Sequence, residues 1–303
     1  MKKAWKRLLT WGLCLSLLLS YGALAADMMP MDGMGPPPGG DMGGAPPPGD
    51  NAPETAAIVI TDGAENPDAE YEPGAYSSYL SNVDGVLTID GLELTSGDYT
   101  FNGLVATGPD SVVRLQKCTI RLGVDSPATD DDTGGAATNI DNGATLYISD
   151  SELVVDGAAR YVTANYNDAK LIVNNSTVTS TGSNDNTADV SEPFSNAALL
   201  ISGTARANFS IGATQTYYYD SVCTAEGWAA LSTDSATGNG LDLYAYNTEG
   251  IAENGGYSTY ADTNCRVWLY GSRLTAAEIG CIISKNGQIH SYGSDSAPED
   301  VMQ

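Results

Sequence analysis

Residues 167–180 read N-D-A-K-L-I-V-N-N-S-T-V-T-S, and the pattern of this stretch recurs along the chain. Leu171 and Val173 alternate with polar neighbours, Asn174-Asn175 turns the chain, and Ser176 and Val178 come back to the apolar side. The same order stands at 113–120 (V-R-L-Q-K-C-T-I), 146–153 (L-Y-I-S-D-S-E-L) and 267–274 (V-W-L-Y-G-S-R-L). Period-two alternation on both sides of a turn residue predicts strand, bend, strand.

Taking the first apolar residue of each unit as its anchor gives Leu87, Val113, Leu146, Leu171, Thr216, Leu241, Val267 and Ile289, spaced by 26, 33, 25, 45, 25, 26 and 22 residues. A strand-rich period in the twenties predicts an all-β solenoid. The consensus of leucine-rich repeats and the 3.6-residue period of helical repeats are both absent. A further β run precedes most anchors, as at 103–107, 161–164, 228–231 and 281–283. Each coil is therefore expected to hold about three short strands. Asp150, Asn175, Asp220, Gly271 and Gly293 fall at the bends, where a left-handed backbone is tolerated.

The long intervals hold polar inserts at 123–135 and 181–191, both after the third strand, with a candidate degenerate coil at 199–202. Inserts gathered at one corner mark either a ligand-facing side or a corner that accepts length.

The chain ends read differently. Lys2, Lys3, Lys6 and Arg7 precede an apolar run from Leu8 to Leu19 and the small-x-small sequence Ala23-Leu24-Ala25. Residues 1–25 are expected to be an export signal, with no membrane span in the mature chain. Residues 26–55 are rich in Gly, Pro and Met and read as a disordered spacer. Residues 56–303 form the solenoid, with an N-terminal cap at 56–82. Either Ser294–Gln303 closes the last coil or the solenoid lacks its C-terminal cap and continues beyond Gln303. Cleavage after Ala25 takes the formal charge from −25 to −29. That balance excludes nucleic acid as a partner and fits a secreted or cell-surface protein. Of the four remaining cysteines, Cys118 and Cys223 read as core residues, and Cys265 with Cys281 is the one candidate disulfide.

The sharpest local signal is aromatic. Tyr219, Tyr244, Tyr270 and Tyr292 each lie three residues after an anchor, and Tyr217 and Trp268 lie one after. Stacked coils would set these rings ~4.8 Å apart in an external stripe. Such a stripe suits the apolar faces of sugar rings, or simply stabilises a solenoid wall. Asp130-Asp131-Asp132, with Asp125 and Asp141 nearby, is the one candidate Ca²⁺ site. No cofactor is otherwise required. His290, the only histidine, reads as a wall residue.

From residue 86 to 303 this architecture resembles the right-handed parallel β-helix of the pectate-lyase-like superfamily. With its export signal and Gly/Pro/Met-rich leader, the chain looks like secreted clostridial-type polysaccharide-binding β-helix proteins. The resemblance implies non-catalytic binding of a polysaccharide or cell-surface glycan. The alternatives are a Ca²⁺-dependent polysaccharide lyase and a structural or adhesive stalk. The lyases of the superfamily set an acidic Ca²⁺ cluster beside a basic residue, and Asp156, Arg160, Asp168 and Lys170 come nearest to that. The motifs of its hydrolases and esterases are missing, and no catalytic residue is assigned.

Overall fold

The computed structural model describes residues 56–65, 79–98, 100–123, 135–157, 160–181, 195–196, 201–202, 205–238, 240–254, 256–277 and 279–293. Residues 1–25, read above as an export signal, residues 26–55, Asp130–Asp132 and the last ten residues lie outside them.

Three sheets carry the fold, and each takes every third strand of the chain. Sheet A runs through Ala56–Thr61, Asn102–Thr107, Thr138–Asp141, Tyr161–Asn165, Arg206–Gly212, Ala229–Ala236, Tyr257–Ala261 and Ile279–Ile283. Sheet B runs through Val86–Asp90, Val112–Gln116, Thr145–Ser149, Lys170–Asn174, Gln215–Tyr219, Leu241–Tyr246, Cys265–Tyr270 and Gln288–Tyr292. Sheet C holds the strands after the bend, from Glu93–Ser96 to Arg273–Ala276. These strands pair in parallel from coil to coil, the arrangement of a β-solenoid with three strands per turn. Ala64–Glu65 and Leu80–Val83 instead run antiparallel, each on the edge of a sheet.

The repeated pattern sets the register. Leu146 pairs with Val113 on one side and Leu171 on the other, and Leu171 pairs with Thr216. These inward residues are all buried, so each coil stacks its apolar pair on the next. One anchor differs from expectation. Thr216 pairs with Leu243, and Leu243 with Val267, so the anchor of that coil is Leu243 and Leu241 precedes it. Nor is there an additional coil in the 45-residue step, because Lys170–Asn174 pairs directly with Gln215–Tyr219. Within that step, Ser195–Asn196 and Ile201–Ser202 pair antiparallel with each other, apart from the three main sheets.

The bend between sheets B and C explains its residue choice. Lys117, Asp150, Asn175, Asp220 and Asn247 have φ between 46° and 53°, and Gly91 and Gly271 share the conformation. The next position feeds a hydrogen-bonded ladder. Ser151 Oγ accepts from Cys118 N, Ser176 Oγ from Ser151 N, Ser221 Oγ from Ser176 N, Thr248 Oγ1 from Ser221 N and Ser272 Oγ from Thr248 N, at 3.0–3.4 Å. Each hydroxyl donates in turn to the carbonyl two residues back. A small hydroxyl at this slot thus satisfies a backbone N–H that the bend removes from the sheet.

The interior is apolar except in its middle, where Tyr218 points inward between the outward Tyr217 and Tyr219. Its hydroxyl donates to Asn208 Oδ1 at 3.1 Å and lies 3.0 Å from Thr163 Oγ1. Asn165 and Ser210 complete this buried network. Cys118, Cys223 and Cys265 are buried, Cys281 is exposed, and all four are free thiols. The expected Cys265–Cys281 pair is therefore not formed. Cys265 opens a strand of sheet B and Cys281 lies in sheet A. Among the described residues no helix is long and apolar enough to cross a membrane.

Candidate functional site

Strand alternation turns positions one and three after each anchor outward on sheet B. In the last four coils both positions are aromatic. The first column is Tyr217, Tyr244, Trp268 and His290, and the second is Tyr219, Tyr246, Tyr270 and Tyr292. The corrected register moves Tyr244 into the first column and brings Tyr246 into the second. The sequence reading missed Tyr246 as a site residue and gave His290 no place beside the other rings.

The rings stack face to face along the solenoid axis. In the second column the centroids are 4.8–4.9 Å apart and the planes 6–12° from parallel. In the first column they are 4.9, 6.0 and 4.1 Å apart. Ring faces are thereby spent on each other. What the ladder offers outward is a comb of ring edges and phenol hydroxyls, as in the wall-forming of the two readings, and not open ring faces. Tyr219 and Tyr246 are buried, Tyr217, Tyr244, Trp268 and Tyr270 half-buried, and Tyr292 exposed.

Charged groups border the first column. Arg266 gives a two-pronged contact to Asp242, Nε to Oδ1 at 2.7 Å and Nη2 to Oδ2 at 2.6 Å, and Trp268 Nε1 donates to the same Oδ1 at 2.9 Å. This fixes the indole in its place. Lys170 Nζ lies 5.4 Å from the Tyr217 ring centre at the other end of that column. Burial pushes the Tyr219 phenol up to about 12, with Tyr217 adding to the rise. Tyr244 is also raised to about 12, by burial first and then by the Asp242 charge. The comb is therefore made of neutral hydroxyls that both donate and accept.

Comparison with protein-family models, curated proteins and solved structures finds no match. The site has to be read from its own geometry.

The residues considered for lyase chemistry do not converge. The Arg160 guanidinium is wholly buried and donates to four backbone carbonyls, those of Gly123, Gly135, Asp156 and Phe101, at 2.7–3.3 Å. Gly123 and Gly135 bracket the first polar insert, so Arg160 clamps its two ends. Lys170 stands on the outer face of sheet B, and Asp168 is exposed at a turn with φ 61°. Asp130–Asp132 lie outside the described residues, among which no group of three or more His, Cys, Asp or Glu side chains could hold a metal ion.

The outer face of sheet A holds a second cluster that the sequence reading missed. Arg206, Trp228, Tyr257, Tyr260, Asp234 and Asp262 come together there, all buried. Arg206 Nη1 is 3.8 Å from Asp234 Oδ2, and Asp262 accepts from Ser284, whose Oγ is 3.0 Å from the Tyr260 hydroxyl. The two carboxyls move apart. Burial raises Asp234 against the opposing pull of Arg206, while hydrogen bonds led by Ser284 outweigh burial and lower Asp262. No local motif in the sequence announces this group, since its members come from separate coils.

Proposed function

We propose that the chain is an exported right-handed parallel β-helix that binds a polysaccharide or cell-surface glycan along the outer face of sheet B, without catalysis. The observation that carries this reading is the two-column ladder of eight rings, bordered by Lys170 and the Asp242–Arg266 pair. A sugar polymer laid along the axis would meet ring edges and hydroxyls at each coil, with charged hydrogen-bonding groups at one margin. Aromatic edges bearing polar tips suit a ligand that is apolar and hydroxylated by turns. The handedness follows from the strong preference of parallel crossover connections, and is part of the pectate-lyase-like reading. Export rests on the basic–apolar–small leader and on the acidic charge.

One observation favours a structural stalk instead: the ring faces satisfy each other, and a stacked ladder is favourable with no ligand. Affinity electrophoresis through plant and bacterial polysaccharides separates the two. Glycan binding predicts that at least one polymer retards the protein, and that Tyr244→Ala with Tyr270→Ala abolishes the retardation. Equal migration in every polymer favours the stalk, and unchanged retardation of the variant removes sheet B as the site.

A further inference from the structure

The second column of the ladder is a continuous run of phenols. Tyr219, Tyr246, Tyr270 and Tyr292 pair from coil to coil, with ring centroids 4.9, 4.8 and 4.9 Å apart and planes 7°, 6° and 12° from parallel. Rings in such contact overlap their π systems, so an electron removed from one is readily replaced from the next. Tyr217 and Tyr244 lie beside Tyr219 and Tyr246 at 6.4 Å and widen the same array. A phenol is one of the few side chains that a one-electron oxidant attacks. The oxidised phenol is a strong acid, and its radical is stable only where the proton has somewhere to go.

Exposure rises along this column. Tyr219 and Tyr246 are each 7% exposed, Tyr270 is half-buried and Tyr292 is 41% exposed. Burial raises the phenol pKa of Tyr219, Tyr246 and Tyr270, so these three hold their protons. Tyr292 can pass its proton to water. Oxidation anywhere in the column is thus drawn to Tyr292, as electrons step from it towards the buried rings and its proton leaves. Tyr147 is the internal comparison. It is 36% exposed on the outer face of the same sheet, but its register partners are Arg114 and Ile172, neither of which carries an aromatic ring.

We propose that this column gathers oxidising equivalents and makes Tyr292 a modification site, at which two copies of the chain are joined through a dityrosine bond. The inference does not depend on glycan binding by sheet B. The oxidant is an external one-electron acceptor, such as the oxidised haem of a peroxidase. Each of two Tyr292 phenols gives it one electron and gives water one proton. The two radicals then form a carbon–carbon bond between ring carbons next to the oxygens. The hydrogen on each of those carbons moves to its oxygen, and both phenols are restored.

Illumination of the full chain with tris(bipyridyl)ruthenium(II) and persulfate, which together generate a Ru(III) one-electron oxidant, tests this. Denaturing electrophoresis and peptide mass spectrometry then read the covalent dimer and its linked residues. Tyr292 is expected in the linkages several-fold more often than Tyr147, and Tyr292→Phe should remove the dominant dimer. Tyr270→Phe keeps a ring in the stack that this oxidant does not oxidise. It should lower linkage at Tyr292 several-fold and leave that at Tyr147 unchanged. Tyr246→Phe, one coil further from Tyr292, should lower it in the same direction and serves if the first variant folds poorly. Linkage at Tyr292 no more frequent than at Tyr147, or unchanged in both Tyr270→Phe and Tyr246→Phe, would overturn the proposal.

Discussion

Tyr244 lies one coil above Tyr217, with ring centroids 4.9 Å apart and planes 6° from parallel, and Tyr246 stands over Tyr219 in the same way. Because the faces are shared between neighbours, ring and hydroxyl have separable roles. The ring holds the wall together, and the hydroxyl is what a ligand can reach. Tyr246→Ala, in the middle of its column, should lower the stability of the solenoid by ~3–5 kcal/mol, as deletion of a buried aromatic ring does. Tyr246→Phe keeps the stack and should stay within ~1 kcal/mol of the parent. Urea denaturation followed by circular dichroism measures both.

The ladder at the bend makes a second prediction. Ser221 Oγ accepts from Ser176 N at 3.2 Å and donates to Tyr219 O at 2.6 Å. Ser221→Ala would leave a buried N–H unpaired and should cost ~1–3 kcal/mol. Ser221→Thr should be tolerated, since Thr248 fills the equivalent slot one coil on. Equal denaturation midpoints for the alanine variant and the parent would contradict the ladder.

Alkaline pH should unfold the protein through its tyrosines. Burial moves Tyr219 and Tyr244 from 10.0 to about 12 in the folded chain. The unfolded chain therefore releases these protons first. Stability is full below pH 10 and falls as pH rises from 10 towards 12. Tyrosinate absorbance and loss of β-sheet dichroism should rise together in that window. Titration of Tyr219 and Tyr244 near pH 10 in the native protein would contradict their burial.

The thiols should divide sharply. Cys118, Cys223 and Cys265 are buried, and burial raises the thiol pKa of each, Cys265 to about 12. Cys281 alone is exposed. A thiol reagent at neutral pH should label Cys281 at once and the other three only after denaturation. Rapid native labelling of Cys223 would be inconsistent with its place in the core.

Much of the fold was legible because its signals are local. The period of the anchors, the αL residues at the bends and the small polar slot at Ser151, Ser176 and Ser221 all follow from strand alternation and turn chemistry. The register of one coil was not. Leu241 and Leu243 are both apolar and two residues apart, and a slip of two leaves every side chain on the same face. Only pairing with Thr216 and Val267 settles it, and that pairing is what brings Tyr246 into the ladder. Six of its eight rings, Tyr217, Tyr219, Tyr244, Trp268, Tyr270 and Tyr292, were visible from spacing. Their stacking into a wall was one of the two readings that spacing offered, and the near-parallel planes of neighbouring coils decide for it. The Arg206 cluster left no trace in the repeat pattern, since it assembles outward residues of three sheet A strands and the corners beside them.

The central claim is that a glycan binds the ring edges and hydroxyls of sheet B. Affinity electrophoresis of Tyr244→Phe with Tyr270→Phe tests it most directly, in a polysaccharide that retards the parent. This variant keeps the stacked ladder and removes two hydroxyls from the comb. The account predicts an unchanged denaturation midpoint together with a clear loss of retardation. Retardation equal to the parent's, from an equally stable variant, would contradict it.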